Sequence, residues 1–128
     1  MSPKKRSNKG VAMKFHTYFA KSWSKEEKEG VDITLMSDKN GRKEILINMA
    51  KGALMKDHKA PGAIMVHVLK GEIDFGIEAF GVVKLKELDS IELDPLVVHN
   101  LTALEHSLIR LSLSVHDDFK RVEGVLDL

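Results

Sequence analysis

Asp57-His58-Lys59-Ala60-Pro61-Gly62-Ala63-Ile64-Met65-Val66-His67-Val68-Leu69-Lys70-Gly71-Glu72 decides how the rest of the chain is read. From Ala63 to Leu69 it is a nearly continuous apolar run bounded by turn residues, which suits a strand covered on both faces. Downstream, Glu72-Ile73-Asp74-Phe75-Gly76-Ile77 alternates apolar and polar side chains, the period of a half-buried strand. Val82 to Leu85 and Ile91 to Leu93 are short strands, the second stopped by Asp94-Pro95. Val97 to Leu101 and Ser107 to Leu113 are the last two. Upstream, Val31, Ile33 and Leu35 alternate with Asp32, Thr34 and Met36. Asn40-Gly41 is a hairpin turn signal, and Glu44 to Met49 completes that hairpin. Phe15 to Trp23 reads as a first strand, followed by a charged, solvated loop from Ser24 to Gly30. Strands recurring every 8–12 residues or so with turns between them specify an all-β sandwich or barrel. Only Asp117 to Leu128 is helical in pattern, with Phe119, Val122, Val125 and Leu126 at helix spacing.

The chain of 128 residues has the size of one domain and can bury a core without disulfides or a structural metal. The expected organisation is a basic, flexible extension at 1–14, a barrel at 15–114 and a helical tail at 115–128. There is no cysteine, which excludes a disulfide framework, a zinc ribbon and a thiol nucleophile and is compatible with the cytoplasm. No apolar run approaches the ~18 residues of a membrane span, and no secretory signal follows the basic start. Net charge is +1, so no global field attracts nucleic acid; Lys4, Lys5, Arg6 and Lys9 are a local exception. Neither nucleic acid nor membrane is an expected partner.

The order of segments resembles the cupin superfamily. Gly52, His58, the strand to Leu69 and Gly71 match the first cupin motif in order and spacing, and Val68-Leu69-Lys70-Gly71-Glu72 is similar to its closing turn. Asp89, Pro95 and His99 match the second motif. His58 to Ala63 resembles a segment of the small single-domain bacterial cupins. The resemblance implies a double-stranded β-helix, or jelly-roll, barrel with a short C-terminal helix, and a homodimer. It also implies a metal such as iron, manganese, nickel or zinc, held by about three histidines and a carboxylate. Two of those four ligands are missing: Ala60 stands where the second histidine belongs, and Ile64 falls near the glutamate position. Leu88 replaces the glycine of the second motif's turn.

Strand alternation places Ile64 and Val66 on the face of His58, and Val97 and Leu101 on the face of His99. The expected interior is therefore apolar with two imidazoles. Two readings stand for His58 and His99: hydrogen-bonded pocket residues without metal, which the sequence favours, or two ligands of a weak metal site. His67 falls on the opposite face, packed at a subunit contact, and His106 in a solvated turn. Asp57 and Glu105 are poor candidates for a third ligand. Arg110 with Ser112 either faces the cavity and binds an anionic ligand or lies on the surface. The leading reading is a binding module that holds a small ligand in an apolar pocket anchored by His58 and His99. The alternative is a metal-dependent enzyme of the dioxygenase or isomerase class.

Overall fold

The computed structural model describes residues 14–114 and 117–126. Lys4, Lys5, Arg6 and Lys9 of the expected extension and His116 lie outside the described residues. The strands are β1 (Val31–Lys39), β2 (Arg42–Met49), β3 (Leu54–His58), β4 (Ile64–Lys70), β5 (Glu72–Ile77), β6 (Gly81–Lys86), β7 (Ser90–Leu93), β8 (His99–Ala103) and β9 (Ser107–Leu113). One helix, α1 (Phe119–Leu126), follows them. One sheet has the order β1-β2-β9-β4-β7 and the other β3-β8-β5-β6, with every pairing antiparallel. Strands distant in sequence are neighbours: β2 with β9 and β3 with β8. This is the double-stranded β-helix expected from the sequence. No helix among the described residues is long and apolar enough to cross a membrane.

The core follows from side-chain alternation. Ile45, Ile47 and Met49 of β2, Ile64, Val66 and Val68 of β4, Phe75 of β5, and Ile109, Leu111 and Leu113 of β9 are buried in one cluster. Alternation also corrects the reading of β4. Met65 is exposed and His67 half-buried, so this apolar run is covered fully on one face only. Across β2 the opposite face is buried too. Asn48 shows why: its Nδ2 donates to the carbonyls of Ser24 (3.4 Å) and Glu26 (2.9 Å), fastening the charged segment before β1 across the sheet.

The expected first strand at 15–23 does not form. It contains only a 3-10 turn at Ala20–Ser22, and Phe15 and Phe19 are exposed. Apolar and polar side chains do not alternate strictly across the segment, since Tyr18, Phe19 and Ala20 are consecutive.

Turn geometry matches the sequence at one hairpin and departs from it at another. Asn40 and Gly41 both have positive φ (58° and 77°), as a two-residue turn between twisted strands requires. At the β6–β7 turn, Leu88 is held at φ 75° in the place of the motif's glycine. The turn closes by Asp89 N–H donating to the Lys86 carbonyl at 2.9 Å and Lys86 N–H donating to Asp89 Oδ2 at 2.9 Å. A leucine in this left-handed region costs about 1–2 kcal/mol. Leu88 is exposed, so little packing offsets the cost. Leu88→Gly is expected to raise stability by up to about 1 kcal/mol, after about 0.5–1 kcal/mol of glycine backbone entropy is subtracted. Thermal unfolding checks this: Tm should rise by a few degrees, and an unchanged or lowered Tm contradicts the strain.

Candidate functional site

A β-bulge builds the site. Met55 of β3 pairs with Leu101 of β8, and His58 pairs with His99, so β3 advances three residues while β8 advances two. Without the extra residue, alternation would turn His58 away from the face that Met55 occupies. With it, Met55, His58, His99 and Leu101 all line the barrel interior, beside Ile47, Ile64, Val66 and Leu111. Asp57, in the bulge, points outward and accepts from Asn100 Nδ2 at 2.8 Å.

The two imidazoles lie 4.2 Å apart between centroids, tilted by 60°, and His99 stacks on Phe75 at 5.3 Å. His58 Nδ1 is 2.7 Å from the Lys56 carbonyl, and His99 Nδ1 is 2.8 Å from the Val97 carbonyl. A carbonyl only accepts, so each Nδ1 carries its proton and donates. In the neutral ring this leaves Nε2 as a bare acceptor. Among the described residues no donor reaches either Nε2. His99 is 2% exposed, and burial holds its pKa down at about 4 despite the bond to Val97; His58 and Arg121 push the same way. The His58 pKa is also lowered, first by burial and further by Arg121. Both rings are neutral at pH 7.

The mouth above the rings is closed by α1. Arg121 and Val122 complete the lining, and the space left among these side chains is about 10 Å³. That volume is about one water molecule, smaller than the small-ligand pocket expected from the sequence requires. Arg121 Nε and Nη2 donate to Asp117 Oδ1 (2.6 Å) and Oδ2 (2.8 Å), and the Asp117 side chain is 0% exposed. Arg121 Nη1 lies 3.4 Å from the Lys59 carbonyl. The helix itself is legible in the spacing of Val122 and Val125, but nothing in the sequence says that Arg121 meets the histidines.

Arg110 does not join them. It lies on the outer face of β9, where its Nε donates to Glu44 Oε1 at 2.9 Å, and Ser112 donates to the same oxygen. Arg42 holds the other Glu44 oxygen at 3.1 Å. The β2–β9 register, Glu44 opposite Ser112 and Leu46 opposite Arg110, gathers this cluster, and the buried Glu44 carboxylate was not singled out in the sequence. An anion-binding role for Arg110 inside the barrel is therefore corrected. Exposed Met65 and half-buried His67 lie beside it on that outer face. His106 is not a solvated turn residue: it is half-buried, and its Nε2 donates to Asn48 Oδ1 at 2.9 Å. Glu105 is exposed.

Metal chemistry can be tested on these residues. Among the described residues no three histidine, aspartate or glutamate side chains converge on one point. Ala60 and Ile64 are buried and provide no donor atom. Two imidazoles alone fall short of the ligand number that transition metals need, so the residues present do not fit a metal centre.

No protein-family model matches the chain, and no curated protein sequence does. Solved structures do match in fold. KdgF from a Halomonas species superposes with TM-score 0.69 over 84% of this chain and 99% of its own, at 14% identity. An RmlC-like cupin from Shewanella frigidimarina gives TM-score 0.70 over 85% and 96%, at 16% identity. A cupin 2 conserved barrel domain protein from Leptotrichia buccalis gives TM-score 0.65 over 75% of this chain and 46% of its own, at 23% identity. The fold is the cupin barrel; at these identities the likeness carries no function.

The depressed pKa of His99 makes stability depend on pH. Unfolded, the ring takes its proton near its ordinary pKa of 6.5; folded, it resists until about 4. Its contribution is therefore complete above about pH 6.5 and is lost as pH falls toward 4. The loss is on the order of 3 kcal/mol. Urea unfolding at stepped pH should show this slope in the wild type and a shallower one in His99→Gln. Equal slopes would contradict a neutral, buried His99.

Proposed function

On this cupin barrel, we propose that the chain binds a small uncharged ligand that hydrogen-bonds to His58 and His99 in the barrel interior. The observation that carries the proposal is the pair of bare Nε2 atoms, each aimed by a backbone bond to Nδ1. A neutral imidazole Nε2 only accepts, so the ligand brings donors, as hydroxyl or N–H groups. The remaining walls, including Ile47, Met55, Ile64 and Leu111, are apolar and suit a hydrocarbon body. Charge argues for a neutral ligand. Asp117 already pairs with Arg121, and both rings are neutral, so an added ion would stand uncompensated in a poorly solvated site. A base with a pKa of about 4 is also too weak to take protons well near neutral pH, which favours binding over general-base catalysis.

Two measurements test the proposal. Thermal shift with uncharged diols and phenols should raise Tm, with carboxylates giving less, and the shift should vanish in His58→Ala and His99→Ala. Metal analysis of the purified protein should find no stoichiometric iron, manganese, nickel or zinc under generous supply. Stoichiometric metal that disappears in both variants would instead establish the metal-enzyme reading.

A homodimer and a cytoplasmic setting belong to the same proposal. Exposed Phe80, Val82 and Leu96 and the unpaired outer edges of β1, β3, β6 and β7 offer surface that a second copy would cover. Sizing at several concentrations checks the dimer, and a monomer at every concentration removes it.

A further inference from the structure

We propose that α1 is a gate: the barrel interior takes up a molecule larger than water only when Phe119–Leu126 leaves the mouth. The inference deepens the binding proposal by stating how its site is reached. It stands on how the helix is attached.

The void of about 10 Å³ beneath Arg121 and Val122 admits no organic ligand. The barrel walls are paired strands, so room has to come from the helix. Most polar bonds around α1 are internal to its own segment. Asp118 Oδ1 accepts from Arg121 N–H at 2.9 Å, Asp117 Oδ1 accepts from Asp118 N–H at 2.8 Å, and Asp117 holds the Arg121 side chain. The bond to the barrel, Arg121 Nη1 to the Lys59 carbonyl, is long at 3.4 Å. Docking therefore depends on the apolar plug of Val122 and Val125, with half-buried Phe119 and Leu126 packed beside them. Beside the carboxyl end of the helix, a groove of about 310 Å³ lies between Val31, Leu54, Lys56 and the last described residues, Val125 and Leu126.

The helix is also weak in itself. Its eight residues are too few to hold a helix without tertiary support. Gly124 stands in its interior, where no positive φ calls for glycine and a Cβ would meet nothing within 4 Å. Glycine there lowers helix stability with no packing reason. A residue that weakens the closing element, where alanine would fit, is what a gate needs.

The test reads access to His99 without any knowledge of the ligand. Diethyl pyrocarbonate acylates neutral imidazole nitrogen, and peptide mass mapping gives a rate for each histidine. In the wild type, His99 should react far more slowly than exposed His16. Gly124→Ala should slow His99 about fivefold further, the factor its helix propensity supplies. Val122→Ser should speed it at least tenfold, with the far-ultraviolet spectrum confirming a folded barrel. His106, half-buried outside the barrel, should keep its rate in Gly124→Ala, which separates gate opening from global unfolding. A wild-type His99 that reacts as fast as His16, or one indifferent to Gly124→Ala, overturns the gate, as does a His106 that slows in step. If no uncharged compound binds, the binding proposal fails alone, because these rates do not depend on it.

Discussion

The bulge that seats His58 opposite His99 is the constraint from which the rest of the site follows. One extra residue between Met55 and His58 reverses the parity of β3, so an imidazole enters the wall in the place where alternation would put the Asp57 carboxylate. Once inside, each ring needs its polar atoms satisfied. The carbonyls of Lys56 and Val97 satisfy Nδ1 and fix the tautomer. The Nε2 atoms are left facing each other's neighbourhood without a protein donor. A buried polar atom without a partner costs about 1–3 kcal/mol, so a fold that keeps the buried His99 Nε2 this way, with half-buried His58 beside it, gives up stability. Stability given up at one place, with the geometry around it held firm, is the mark of a site rather than of a core.

Much of the barrel was legible because its physics is local. Alternation in β1 and β5, the Asn40-Gly41 turn and the glycine-bounded run of β4 are read within a few residues. His58, His99 and the apolar identity of their neighbours were legible for the same reason. What escaped depends on distant pairing. Arg110 could not be placed by alternation, because Leu108, on its face, is buried like the core residues, and only the β2–β9 register reveals Glu44 beneath it. His106 resembles a turn residue until Asn48, 58 positions away, captures its ring. The segment at 15–23 has aromatic content but no strict alternation, and composition alone suggested a strand. The helix was visible as a helix, yet its docking site was not, since a stripe of valines fits any apolar mouth.

The missing metal ligands acquire a physical meaning in this geometry. With Ala60 and Ile64 in the place of ligands, the remaining imidazoles are neutral and partly covered by a guanidinium that is itself paired with Asp117. Two donors are too few to hold a transition metal, whereas each bare Nε2 can accept from a hydrogen-bond donor. Because one fold hosts many functions, the likeness to other cupin barrels cannot restore what the residues lack.

The ion pair at the mouth links ligand choice to motion. Asp117 and Arg121 sit four residues apart and neutralise each other within the helical segment. Arg121 therefore enters and leaves the mouth as half of a neutral unit, and opening strands no lone charge in the barrel. What opening does cost is apolar: about 3–6 kcal/mol for uncovering Val122 and Val125, and more with the partly buried Phe119 and Leu126 that pack beside them. A cost of that size keeps the open state a minor population that a binding ligand can draw upon. A lone arginine over two imidazoles would instead bind anions and lock the gate electrostatically. With Asp117 beside it, the arginine closes the mouth without setting the charge of what enters.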